Sequence, residues 1–215
     1  MADPVGGAAP FMPEEEAAHV ARVYAGAGAR VILEYGSGGT TRIAAGLPGK
    51  FVISVESDPD WARNLQAEID GSGPASPVVV YHCDIGPVGG WGRPRGAAAW
   101  RRFNRYPLEV WEQPFFRPPD VVLIDGRLRA ACLATVMLLT KKPVTVLFDD
   151  YGVRPLYHQV ERLVRPERMV GRLAEFHIKP DMVRRDDLGF VIGLFSAGSL
   201  DGIRESDYAA STPPW

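Results

Sequence analysis

Acidic residues close one apolar run after another in this sequence. "VILEY" carries Glu34, "FVISVE" ends in Glu56, "VVVYHCD" in Asp84, "DVVLID" in Asp125, and "VTVLFDD" in the pair Asp149 and Asp150. One acid after a strand is commonly a helix cap or a turn former. Acids at five successive strand ends are different, because open α/β sheets hold small molecules in the crevice outside those ends. Carboxylates gathered there can accept hydrogen bonds from hydroxyls, attract a cation, take a proton or ligate a hard metal ion. The first run leads directly into a glycine loop, "GSGGTT", whose backbone lets a ligand approach closely.

The charge of Glu34 discriminates among ligands for that loop. A nucleoside triphosphate calls for a lysine within the loop, as in G-x-x-x-x-G-K-[ST], and the loop has none. A dinucleotide fits G-x-G-x-x-G with an acid about 20 residues on. Glu56 stands there, but Thr41 replaces the third glycine and Glu34 would face a pyrophosphate. Two unit charges 4 Å apart interact by about 4 kcal/mol at an effective dielectric of ~20. S-adenosylmethionine has no phosphate and carries a sulfonium and an ammonium, so Glu34 attracts it, directly or through water. Gly36 and Gly38 then admit its methionine portion close to the backbone.

The elements that must position these residues read as alternating strands and helices. Pro13 followed by three glutamates starts a helix with acids at the positive end of its dipole. A buried strand follows at "RVILEY", then a short helix from about Thr40 to Ala45. "KFVISVE" is the second strand, and Ser57-Asp58-Pro59 caps a helix whose buried stripe is expected at Trp61, Leu65 and Ile69. "PVVVYHCD", "PDVVLIDG" and "VTVLFDD" are three more strands, continuous enough in apolar residues to be parallel and covered on both faces. A helical stripe from Leu128 to Leu139 separates the last two. A further helix starts near Pro155, and β-like runs over 169–178 and 189–196 suggest an antiparallel hairpin at one edge. The expected class is a three-layer α/β sandwich with a mainly parallel sheet. Residues 86–119 read as an insertion, too long for an ordinary connection and placed for a lid or an acceptor-binding role. Its Arg93, Arg95, Arg101, Arg102 and Arg105 interleave with Trp91, Trp100, Phe103, Tyr106 and Trp111.

Composition bounds the setting. The 215 residues suffice for one well-cored domain, and a formal net charge of −2 gives no general attraction to nucleic acid or anionic membranes. Cys83 and Cys132 are too few for a disulfide framework, which with no secretory signal or ~20-residue apolar run points to the cytoplasm. The expected layout is a flexible N-terminus over 1–12, one domain over 13–197 and a tail over 198–215. A small-molecule substrate is the expected partner, nucleic acid and membrane are not, and a homodimer is left open.

On these motifs the sequence resembles the class I S-adenosylmethionine-dependent methyltransferases, over roughly residues 30–196. "LEYGSGGTT" looks like their E/D-x-G-x-G loop, "ISVESD" like their second strand end and "HCDIG" like their third. The resemblance implies a Rossmann-like, mostly parallel seven-stranded sheet with a C-terminal antiparallel hairpin. It implies cofactor binding by Glu34, Gly36, Ser37, Gly38, Glu56, Ser57, Asp84 and Ile85, with Glu56 on the ribose hydroxyls and Asp84 on the adenine amino group. "DGRL" after the fourth strand departs from the Asn/Asp-Pro-Pro-aromatic motif of base-methylating enzymes. "LIDGR" and "LFDDY" instead resemble the small magnesium-binding O-methyltransferases, which puts Asp125, Asp149 and Asp150 at catalytic positions with magnesium as a candidate ligand. A histidine often found after "DG" there is replaced by arginines, so neutralisation of the acids by Arg127, or Asp125 acting as a base, is the alternative to metal. A nicotinamide-dependent oxidoreductase and a non-catalytic cofactor-binding module are the rival functions.

Overall fold

The computed structural model describes residues 11–197. Seven strands form one sheet in the order β3-β2-β1-β4-β5-β7-β6. Strands β1 (Val31–Tyr35), β2 (Phe51–Glu56), β3 (Val78–His82), β4 (Val121–Ile124) and β5 (Val144–Phe148) run parallel, while β7 (Leu173–Ile178) is antiparallel to both β5 and β6 (Arg168–Val170). The order turns back on itself between β1 and β4, so the crevice lies beyond the ends of those two strands.

Alternation along each strand sends successive side chains to opposite faces. Ile32, Val52, Leu123 and Leu147 meet Val20 and Tyr24 of α1 (Glu14–Ala25) and Ala44 of α2 (Gly39–Gly46). Leu65 and Ile69 of α3 (Pro59–Gly71) pack with Ala45, Val78 and Val80 on the same side. On the other face Leu33, Tyr35, Val55, Ile124 and Phe148 pack with Cys132 and Val136 of α5 (Arg129–Leu139) and with Phe103, Tyr106 and Val110. Asp120 accepts hydrogen bonds from the Arg30 and Val31 amides at 3.0 and 2.8 Å and fixes the start of β4 beside β1.

Three expectations need correction. The stretch over 189–196 is not a strand: it lies in α6 (Leu188–Ala197), which buries Val191 and Leu194 and packs on α5. An unbroken apolar run fits either period, and burial of two residues three apart selects the helix. Both hairpin strands instead come from the first β-like run, folded at a two-residue turn, Gly171-Arg172, with Gly171 at φ 56°. Trp61 is not in the buried stripe of α3, where Ala62 takes that place; its Nε1 donates to the Ser37 carbonyl at 3.1 Å, beside the glycine loop.

Residues 86–119 form the crossover from β3 to β4, and because β2 and β1 lie between those strands the segment must travel across the face of the sheet. It does so with 3-10 turns and one short helix, α4 (Arg105–Leu108), rather than a long helix. Phe103, Tyr106 and Val110 are buried, whereas Trp91 and Trp100 are exposed. Apart from Phe11 and Met12, the segments 1–12 and 198–215 lie outside the described residues. No helix among the described residues is long and apolar enough to cross a membrane.

Candidate active site at the carboxyl ends of the parallel strands

Glu34 points from β1 to the α1/α2 side and is completely buried. Tyr24 donates its hydroxyl to Oε1 at 2.8 Å, and Thr41 donates to Oε2 at 2.6 Å. The Thr41 oxygen in turn accepts the Gly38 amide at 2.9 Å. Glu34 therefore lies beneath the loop and fixes it, a positioning role rather than a surface offered to a ligand. Burial pushes its carboxyl above the ordinary glutamate range, against the hydrogen bonds from Thr41 and Tyr24. A folded-state value above the unfolded one gives stability that is complete below the unfolded value and lost as pH rises through the folded one. The stability margin of the native protein over Glu34→Gln is thus expected to shrink as pH rises from about 4 to about 8. Urea midpoints at both ends of that range check it, and a margin that grows with pH contradicts it.

Gly36, at φ 101°, abuts Gly126: a Cβ on Gly36 would stand 2.7 Å from the Gly126 nitrogen, and one on Gly126 would stand 2.1 Å from the Tyr106 hydroxyl. The loops after β1 and β4 thus touch, and only glycine fits at either position. Ser54 reaches toward the Gly36 carbonyl at 3.4 Å.

Glu56 ends β2. Its Oε1 accepts the amides of Ser57 and Asp58 at 2.7 and 2.9 Å, and its Oε2 accepts the Ser37 hydroxyl at 2.8 Å. The second strand end is thereby tied to the glycine loop. Asp84 lies two residues past β3 and accepts the Gly86 amide at 2.8 Å and a guanidinium hydrogen of Arg102 at 2.8 Å. The Gly86 amide first, and Arg102 after it, hold its carboxyl below the usual range. Ile85 is fully buried.

Beyond β4 and β5 the remaining acids meet a set of arginines. Arg129, at the start of α5, reaches Asp125 at 3.0 Å, Asp150 at 3.2 Å and Asp149 at 3.5 Å, and donates to the carbonyls of Asp149 and Gly126. Arg172, from the β6–β7 turn, approaches Asp150 at 3.2 Å and Asp149 at 3.6 Å, and also pairs with Glu16 of α1. Arg154 closes on Asp150 at 2.7 Å. Consecutive residues leaving a strand normally diverge, but Asp150 adopts φ 60°, and the pair shares both Arg129 and Arg172. The side chains of Asp149 and Asp150 are 3 % and 10 % exposed, and that of Asp125 is 34 % exposed. Asp125 is therefore the acid of the three that a substrate can reach. Burial, opposed by Arg129 and reinforced by Asp149, raises its carboxyl well above the ordinary aspartate range.

This arrangement does not fit magnesium. Three carboxylates are a suitable hard donor set, yet each faces a guanidinium, and a cation would have to displace Arg129 to reach them. Among the described residues, no three His, Cys, Asp or Glu side chains are grouped to hold a metal ion. Arg129, Arg154 and Arg172 neutralise these acids. Arg172 carries no sequence signal, since it lies more than 20 positions from the acids it balances, whereas Arg154 is four residues from Asp150. His19 and His177, far apart in sequence, meet on Glu175 at 2.8 and 3.0 Å.

Among solved structures, a methyltransferase-like protein from Silicibacter pomeroyi is 45 % identical over 86 % of this chain and 95 % of its own, with a TM-score of 0.81. An O-methyltransferase from Bacillus cereus, in complex with SAH, aligns with 16 % identity over 81 % of this chain and 82 % of its own, at a TM-score of 0.50. A SAM-dependent O-methyltransferase from Thermotoga maritima aligns with 12 % identity over 83 % and 68 %, also at 0.50. At those lower identities the likeness is one of fold. No family model matches the chain, and no curated protein matches its sequence.

Proposed function

The chain belongs to the class I S-adenosylmethionine-dependent methyltransferases, and on that premise we propose that it methylates an oxygen of a small-molecule acceptor. The observation that carries this reading is the convergence of Glu56, the glycine loop and Asp125 on the crevice where the strand order reverses. Bound there, S-adenosylmethionine supplies an electrophilic methyl group on a sulfonium. The chain's own residues would do the rest. Glu56 and Ser37 line the ribose position, Asp84 lies at the adenine end, and Glu34 holds the loop between them from below.

The acceptor enters past the ends of β4 and β5, where Asp125 is the exposed carboxylate. Asp125 would take the proton from the acceptor hydroxyl, and its raised affinity for protons makes it a stronger base than an ordinary aspartate. Arg129 keeps that carboxylate oriented and prevents three neighbouring acids from repelling one another. Positioning and exclusion of water supply the remaining acceleration of an in-line displacement.

Calorimetric titration with S-adenosylmethionine, S-adenosylhomocysteine and NADH tests the cofactor assignment. Glu56→Ala is expected to weaken S-adenosylhomocysteine binding by about 1.5–3 kcal/mol, the scale of hydrogen bonds to a charged group. Binding of NADH but of neither sulfur compound would turn the reading toward an oxidoreductase.

A further inference from the structure

We propose that residues 89–93 of the crossover form a strap over the nucleoside end of the cofactor site, and that the structure is a closed form which must open before S-adenosylmethionine binds. The inference rests on the cofactor reading above and adds a gate to it.

The strap is a compact unit. The Gly89 amide donates to the Arg93 carbonyl at 2.7 Å, the Gly92 amide to the Gly89 carbonyl at 3.1 Å, and Val88 bridges to Pro94 at its base. Its tip lies against the end of β2. Ser57 donates its hydroxyl to the Gly92 carbonyl at 2.9 Å, and a Cβ on Gly92 would stand 2.2 Å from the Ser57 oxygen and 3.2 Å from Glu56 Oε1. The Gly92 backbone thus lies against Oε1 of Glu56, while Ser37 holds the other oxygen. Arg102, further along the crossover, occupies Asp84 at the adenine end. Both acids placed to read the nucleoside are already engaged by the chain itself.

The closure is built to release. The Arg102–Asp84 pair is about half exposed on both sides, in the range where ion pairs add little. Trp91 sits at φ 62° and is 60 % exposed, so a bulky residue is held in a left-handed conformation without burial to offset it. Its ring touches Phe11 of the N-terminal segment at 5.3 Å between centroids. Phe103, Tyr106 and Val110 anchor the rest of the crossover in the core, which confines the motion to the strap.

A disulfide staple tests the gate. The Gly92 Cβ position lies 3.6 Å from Ser57 Cβ, within the span of a disulfide. Both native cysteines are buried and so do not compete. In full-length Ser57→Cys/Gly92→Cys, oxidation is expected to weaken S-adenosylhomocysteine binding by roughly 100-fold or more relative to the same protein after reduction, because apparent affinity follows the open fraction. Oxidised protein that binds as tightly as its reduced form overturns the strap while leaving the cofactor reading intact. Native protein that binds no S-adenosylhomocysteine sinks the cofactor reading and the strap with it. A second variant, Gly92→Ala, places a methyl group against Ser57 only in the closed form, so it is expected to speed association roughly 3-fold or more. Slower association and weaker binding by that variant would mean that Gly92 belongs to the bound-state wall, which contradicts the proposal.

Discussion

Asp125→Asn should lower kcat by about 100- to 10,000-fold, the usual worth of a positioned base, with little change in affinity for S-adenosylhomocysteine. The expectation follows from exposure and charge together. Asp149 and Asp150 are enclosed by Arg129, Arg154 and Arg172, whereas Asp125 keeps a third of its side chain open to the crevice. A base must be unprotonated to work, so kcat of the native protein should rise with pH through the elevated value of Asp125. That limb should lie above the ordinary aspartate range and vanish in the variant. Turnover of a hydroxylated acceptor, followed as S-adenosylhomocysteine released, gives the measurement. A variant that retains native kcat and an unaltered pH limb removes Asp125 from the chemistry and leaves positioning alone to account for the rate. Stability offers an independent control: a raised carboxyl costs the fold when ionised, so asparagine should leave the urea midpoint at neutral pH equal or higher.

Arg129→Met should cost about 3–5 kcal/mol of folding stability, the penalty for stranding buried charge. Arg129 is 7 % exposed in its side chain, contacts three carboxylates and satisfies the carbonyls of Gly126 and Asp149. Methionine of similar length fills the volume but leaves Asp149 and Asp150 to Arg172 and Arg154, and Asp125 to neither. The loss should shrink at acid pH, where Asp125 takes a proton, and should be partly recovered in Arg129→Met/Asp149→Asn. Urea denaturation at two pH values separates this from a packing defect, which would show no pH dependence. A cost below 1 kcal/mol, on the scale of an exposed ion pair, would mean that water rather than Arg129 neutralises the cluster.

The two experiments probe different halves of one arrangement. Asp125 tests what the crevice can do to an acceptor, and Arg129 tests what lets three carboxylates occupy the same corner of the fold. The strap adds a third layer, because the same crossover that buries Tyr106 between the β1 and β4 loops also presents Gly92 to Glu56.

The amino-acid order by itself determined the alternation of strands and helices, the glycine loop, and the placing of Glu34, Glu56, Asp84, Asp125, Asp149 and Asp150 at one edge of a parallel sheet. These features are local: hydrophobic period, capping residues and turn formers act within a few positions of one another. Only the tertiary structure decided that residues 189–196 are helical, since an apolar run without polar punctuation takes its period from what it packs against. Only the fold showed that residues 86–119 cross the face of the sheet, because that depends on β2 and β1 lying between the strands the segment joins. The partners of the acids were likewise out of reach of the sequence. Tyr24 and Thr41 under Glu34, and Arg172 against Asp149 and Asp150, meet across 7 to 23 positions of chain. Charge compensation in a buried corner is settled by which side chains the packed elements bring within 3–4 Å, and no spacing along the chain encodes that distance.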